Sequence, residues 1–199
     1  MTTNRGPEAA LVGAALTGAF RPLVRLAGVS GLVAGGLQVA LFFGNGAGAS
    51  EAALVGAWNV LQLPVAIALW AWLRPRSREV VDLATACGVG ALTLWAASAI
   101  APSLAPLEAV WIGLSAVWYL GIGAVARRER RFLGVLTIVV GLAAIGDAVV
   151  TAPEMLGSPL PDVLFVALGG WKIPFALAWS LVVGAELAIR PPARPARGG

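Results

Sequence analysis

Between Arg25 and Arg74 the only charged residue is Glu51, and nothing at all is charged between Asp82 and Glu108 or between Glu108 and Arg127. An apolar stretch of about 20 residues is the length a helix needs to cross ~30 Å of hydrocarbon. Six stretches qualify, at 22–44, 51–73, 79–101, 105–126, 132–152 and 162–189. Inside lipid each is expected to be helical, because the backbone finds no water to bond to. The rest of the composition agrees: 12% of the 199 residues are charged, against about a quarter in soluble domains. The expected fold class is therefore all-α integral membrane, with six transmembrane helices.

The arginines set the expected orientation. The 14 basic residues are Lys172 and thirteen arginines. Arg5, Arg21 and Arg25 precede the first span, and Arg74, Arg76 and Arg78 join the second to the third. Arg127, Arg128, Arg130 and Arg131 join the fourth to the fifth, and Arg190, Arg194 and Arg197 follow the sixth. The alternate connections, at 45–50, 102–104 and 153–161, hold no basic residue and are rich in Gly, Pro and Ser. The positive-inside rule then predicts three in-out-in hairpins in a cell (inner) membrane with both termini cytoplasmic. Residues 1–21 are expected as a cytoplasmic or interfacial segment, since Glu8 and the lack of a clear cleavage site argue against a signal peptide. Residues 22–189 form the membrane domain and 190–199 a disordered basic tail. Basic residues spread through short connections give no nucleic-acid face.

With one cysteine, Cys87, and no histidine, the chain lacks the makings of a disulfide framework or a Cys/His metal site. Gly31-x-x-x-Gly35, with Gly121, Gly123, Gly141 and Gly184, reads as close helix packing; no strand-turn-helix context makes it a nucleotide loop, and no cofactor is expected.

The chemistry gathers around Lys172, the only lysine. It lies in the apolar run Gly169 to Ser180, where an ionised amine costs at least about 2.5 kcal/mol unless paired or hydrated. Asp147, one span earlier across a short turn, is the expected counter-ion. Gln38, Asn59, Gln62 and Ser115 fall at similar depth, and Asn59 and Gln62 are three apart, on one helical face. Pro64 and Pro174 free the carbonyls of Val60 and Gly170. Of the eight tryptophans, Trp58, Trp95, Trp111 and Trp171 suit a pocket wall; Trp70, Trp72, Trp118 and Trp179 suit packing or an interfacial belt. Glu51, Glu108, Glu154 and Asp162 read as solvating groups at the outer surface, and Asp82 and Glu186 as partners for arginines. Asn59 and Gln62 are equally readable as interhelical glue, and the Lys172/Asp147 pair as purely structural.

An internal repeat is visible in outline. Gly28-Val29 and Gly134-Val135 open spans one and five alike, and Gly56-x-Trp58-Asn59 with Pro64 parallels Gly169-x-Trp171-Lys172 with Pro174. The motifs Arg25-Leu26-Ala27-Gly28, Trp118-Tyr119-Leu120-Gly121 and Arg131-Phe132-Leu133-Gly134 resemble those of an uncharacterised family of multi-span bacterial membrane proteins. That resemblance implies the architecture and no activity.

Three readings follow. In the first, an outward-facing polar pocket of Lys172, Asp147, Asn59, Gln62, Gln38, Trp58 and Trp171 binds a small or lipid-like ligand for transport or sensing. In the second, an intramembrane enzyme acts on a lipid or isoprenoid, for instance as a cyclase or isomerase, with Asp147 or Glu108 as acid/base. In the third, the chain is an accessory subunit without a site. Membrane lipids are the expected surroundings, and a homo-oligomer suits a transporter of this size.

Overall fold

A computed structural model describes residues 7–43, 49–158 and 160–192. The described residues are helical with no strand: α1 (Pro7–Phe43), α2 (Ala49–Leu73), α3 (Arg78–Ile100), α4 (Glu108–Ala126), α5 (Arg131–Met155), the single turn α6 (Asp162–Leu164) and α7 (Lys172–Ile189). Six of these segments are long and apolar enough to cross a membrane: Phe20–Leu41, Ala52–Leu73, Arg78–Ile100, Ser103–Ala126, Arg131–Met155 and Asp162–Ile189. Many large apolar side chains face outward, among them Leu26, Leu83, Phe132 and Leu142. Such a surface is a liability in water and unremarkable against lipid.

Each helix packs on the next, and α7 returns to α1 and α5, so the spans close into a ring. Glycines allow the closure. A Cβ on Gly28 would sit 2.3 Å from the backbone nitrogen of Ala188, and one on Gly184 would sit 2.7 Å from that of Leu32. Only a residue without a side chain lets α1 and α7 approach this closely.

The ring is filled unevenly. Around the arginine-bearing ends lies a dry core in which Trp72, Trp118 and Trp179 are buried with Leu69, Ile122, Val140, Val183 and Leu187. These tryptophans pack the interior and do not form an interfacial belt. Trp179 donates its indole N–H to the Thr137 hydroxyl at 2.9 Å and meets Trp118 and Tyr119 edge-on at 5.4 and 5.0 Å. Towards the opposite ends, among the described residues, Ala91, Trp111 and Ile112 form a second, small cluster.

The arginine ends are tied by ion pairs. Arg76 clasps Glu129 through two bonds of 2.9 and 3.1 Å, Arg74 and Trp70 both donate to Asp82, and Arg130 bonds Glu186. The Arg76 guanidinium holds the Glu129 carboxyl below its ordinary range.

Two elements differ from the sequence expectation. Span four begins with a 3-10 segment, Pro102–Leu107, before α4, since two prolines there suit a tight turn. Span six, expected as one helix over 162–189, is broken. A π-turn, Phe165–Gly169, and a bend at Gly170 and Trp171 separate α6 from α7. Paired glycines and a proline that cannot bond back to Gly170 make this the weakest stretch of the span. By contrast α2 runs unbroken through Pro64, so the two parallel motifs adopt different local structures. Residues 1–6 of the N-terminal segment, 44–48 of the first connection and 193–199 of the predicted tail lie outside the described residues; residues 7–21 continue into α1.

Candidate functional site

Asp147 and Lys172 meet because α5 and the π-turn touch. A Cβ on Gly146 would lie 2.3 Å from the Leu168 carbonyl oxygen, so glycine is what admits the turn at this level. Gly169 then comes against Asp147, where an added Cβ would be 3.3 Å from Oδ1. Three residues later Lys172 opens α7, and its Nζ donates to Asp147 Oδ2 at 2.7 Å. The side chains are 10% and 14% exposed. A lysine at a helix N-terminus opposes the helix dipole, and the Asp147 carboxylate offsets this by pairing with the ammonium.

The ammonium also sits 4.9 Å above the Trp95 ring. Trp95 is held by Trp58, edge-on at 4.7 Å, and by Trp111, stacked at 6.4 Å. Lys172, Asp147, Trp95 and Trp58 border a cavity of about 360 Å³ inside the ring, while Trp111, also expected in a pocket wall, backs Trp95 without lining it. Helices α1 to α5 and α7 all contribute to its wall: Gln38, Trp58 and Gln62, Trp95, Glu108 and Ser115, Asp147, Thr151 and Glu154, and Lys172. Trp118, Tyr119 and Ala176 close it towards the dry core. Glu108 opens α4 and Glu154 lies in the last turn of α5, at the ends opposite the arginine clusters. Glu108 is within Coulombic range of Lys172, Asp147 and Glu154.

Polar groups in the wall are incompletely satisfied by the protein. Gln62 donates Nε2 to Ser180 Oγ at 2.8 Å, and Ser180 gives its proton to the Ala176 carbonyl at 2.9 Å. That chain fixes the amide orientation and leaves Gln62 Oε1 buried with no partner among the described residues. Gln38 Oε1, Trp58 Nε1 and Trp118 Nε1 are likewise buried and unpartnered. Groups of this kind cost roughly 1–3 kcal/mol each when left unmet, so a wall carrying several of them is built to meet something.

Of the residues singled out from sequence, Lys172, Asp147, Gln38, Gln62, Trp58, Trp95, Glu108 and Ser115 come together in this wall. Two of the expected ligand-binding residues do not. Asn59 is fully buried but donates Nδ2 back to the Val55 carbonyl at 2.8 Å, one helical position away from the face that carries Trp58 and Gln62. Trp171 is 56% exposed against 5% for Trp58. It stacks on Phe175 outside the ring, because turning Lys172 inward turns its neighbour outward. The freed Val60 carbonyl draws no side chain among the described residues; Ser30 bonds the adjacent Leu61 carbonyl at 2.6 Å. Thr151, Glu154 and Tyr119 join the wall without having been expected there. A signal existed: Asp147, Thr151 and Glu154 are spaced i, i+4, i+7, one face of α5.

No protein-family model, curated protein or solved structure matches the chain. Function therefore rests on the cavity itself.

Proposed function

We propose that the chain is an inner-membrane protein whose intramembrane cavity, open towards the outer side, binds a small or lipid-like ligand for transport or sensing. The observation that carries this reading is the cavity wall: a buried Lys172–Asp147 pair beside amide oxygens and indole N–H groups that the protein leaves unmet. A purely structural pair needs no such surroundings, and charges held among apolar spans mark functional sites by default. Orientation comes from the positive-inside rule. Apart from Arg21 and Arg25 within α1, the described arginines gather at the ends of α2, α4 and α7 and the starts of α3 and α5. With those ends cytoplasmic, the chain makes three in-out-in hairpins with both termini inside, and the Glu108–Glu154 end faces out.

The contact between Trp58, Trp95 and Trp111 favours a second reading, an intramembrane enzyme. Indole faces stabilise a carbocation, and Glu108, which borders the cavity without an ion pair among the described residues, would act as acid or base. Native mass spectrometry of protein purified in its own lipid tests the first reading. A small molecule retained by the wild type and lost on Asp147→Asn supports it. A bare wild-type protein, or equal retention in that variant, refutes it; conversion of the retained molecule would move the assignment to the enzyme.

A further inference from the structure

The charge and shape of the wall narrow the ligand class, given the ligand-site reading above. Three carboxylates, Asp147, Glu108 and Glu154, border the cavity against a single ammonium, that of Lys172. Lys172 is already matched to Asp147 at 2.7 Å, and neither glutamate has an ion-pair partner among the described residues. An anion entering here would face uncompensated negative charge with no free cation among the described residues of the wall to meet it. A cation would be attracted by both glutamates at the mouth.

The aromatic wall points the same way. Ring faces attract cations within ~6 Å, and Trp95 already carries the Lys172 ammonium at 4.9 Å. Trp58 and Trp111 fix that ring from two sides. The place that reads a positive charge is thus built and rigid, and Lys172 occupies it. Deeper in, Gln62 Oε1 is the free side of an amide whose nitrogen is committed to Ser180. It accepts an N–H, which a protonated amine has and a quaternary ammonium lacks. The volume, about 360 Å³, lies at the small-molecule end of the usual ~300–1,000 Å³ range.

We propose that the cavity takes a protonated organic amine with an apolar or aromatic body, and that Lys172 is the internal cation it displaces from Asp147 and Trp95. Binding is then an exchange of one ammonium for another, and the strength of the resident pair sets how tightly the ligand is held.

Three probes of one shape and different charge test this: 2-phenylethylammonium, 2-phenylethanol and 3-phenylpropionate, titrated into the full chain in lipid nanodiscs and followed by tryptophan fluorescence and calorimetry. The amine is expected to bind about tenfold or more tighter than the alcohol, with the carboxylate weakest. Lys172→Met removes the competitor and should tighten the amine about tenfold while leaving the alcohol unchanged. Glu108→Gln and Glu154→Gln, at the exposed mouth, should each weaken the amine roughly threefold to tenfold. These two variants carry the test if Lys172→Met does not hold its fold. A carboxylate that binds best, three indistinguishable probes, or glutamate variants with unaltered amine affinity would overturn the amine assignment. A co-purified neutral or anionic molecule would overturn it too, while leaving the ligand site standing. Failure of every probe together with a bare wild-type protein would remove both.

Discussion

Asp147→Asn leaves the Lys172 ammonium at the start of α7 with no carboxylate bound to it. Breaking a buried ion pair from one side costs about 3–5 kcal/mol, most of it the uncompensated charge left behind. Here Glu108 lies within Coulombic range of Lys172 and the side chains keep 10% and 14% exposure, so the low end, about 3 kcal/mol, is expected. Lys172→Met strands Asp147 instead. Removing the ammonium also removes its opposition to the α7 dipole, since Lys172 opens that helix, worth up to about 1 kcal/mol, which brings the expected loss to roughly 2 kcal/mol. Lys172→Met with Asp147→Asn leaves two neutral groups and should recover to within about 1 kcal/mol of the wild type, a coupling of at least about 4 kcal/mol. For a chain this long each kcal/mol corresponds to roughly 2–4 °C, so Asp147→Asn should lower the midpoint by about 6–12 °C. Thermal scans in nanodiscs, at one lipid composition, read all four proteins. An Asp147→Asn midpoint close to that of the wild type, or a double variant as weak as the weaker single, would refute the claim that this pair holds α7 to α5.

Gly146→Ala should destabilise by about 1–3 kcal/mol, because its Cβ would meet the Leu168 carbonyl, a backbone clash no rotamer relieves. Gly36→Ala, where an added Cβ meets nothing within 4 Å, should be neutral or stabilising by up to about 1 kcal/mol; both are read in the same thermal scan. The Glu129 carboxyl is held below its ordinary value of 4.5 by the Arg76 hydrogen bond. The contribution of that bond is therefore fully present above pH 4.5 and lost as pH falls through the lowered value. Glu129→Gln should flatten this part of the acid limb of a stability–pH curve, and an unchanged limb would refute the assignment. For orientation, Ser103→Cys in a Cys87→Ser background should react with a membrane-impermeant thiol reagent from outside intact cells, and Arg128→Cys only after lysis. The reverse pattern would invert the topology.

Much of the architecture is written in charge sparseness. Runs such as Ala109 to Ala126, with no charged residue, have one stable outcome in lipid, so the spans emerge within a few residues of the expected bounds. The partner of Lys172 was also legible, since an isolated ammonium in such a run needs a carboxylate and Asp147 lies across the nearest turn. What stayed hidden depends on rotation and backbone geometry. Trp58 and Trp171 sit in parallel motifs, yet one faces the cavity and the other the outside, because the break before Lys172 resets the helical phase. Asn59 drew attention through its spacing from Gln62, but the wall follows the Trp58–Gln62 face, four residues apart. Glu154 looked like a surface group until its register with Asp147 brought it to the cavity mouth. The close approach of the π-turn to α5 depends on Gly146 on a different helix, a contact no local pattern announces.

The cavity as a ligand site is tested most directly by filling it. Ala91 is buried in the wall beside Trp111 and Ile112, and Ala91→Leu extends a side chain there without altering any charged group. Native mass spectrometry of the wild type and of this variant, each with the same helical content by circular dichroism, should find a small molecule bound to the first and absent from the second. A wild-type protein that emerges bare, or a filled protein that carries the same molecule at the same occupancy, would contradict the account.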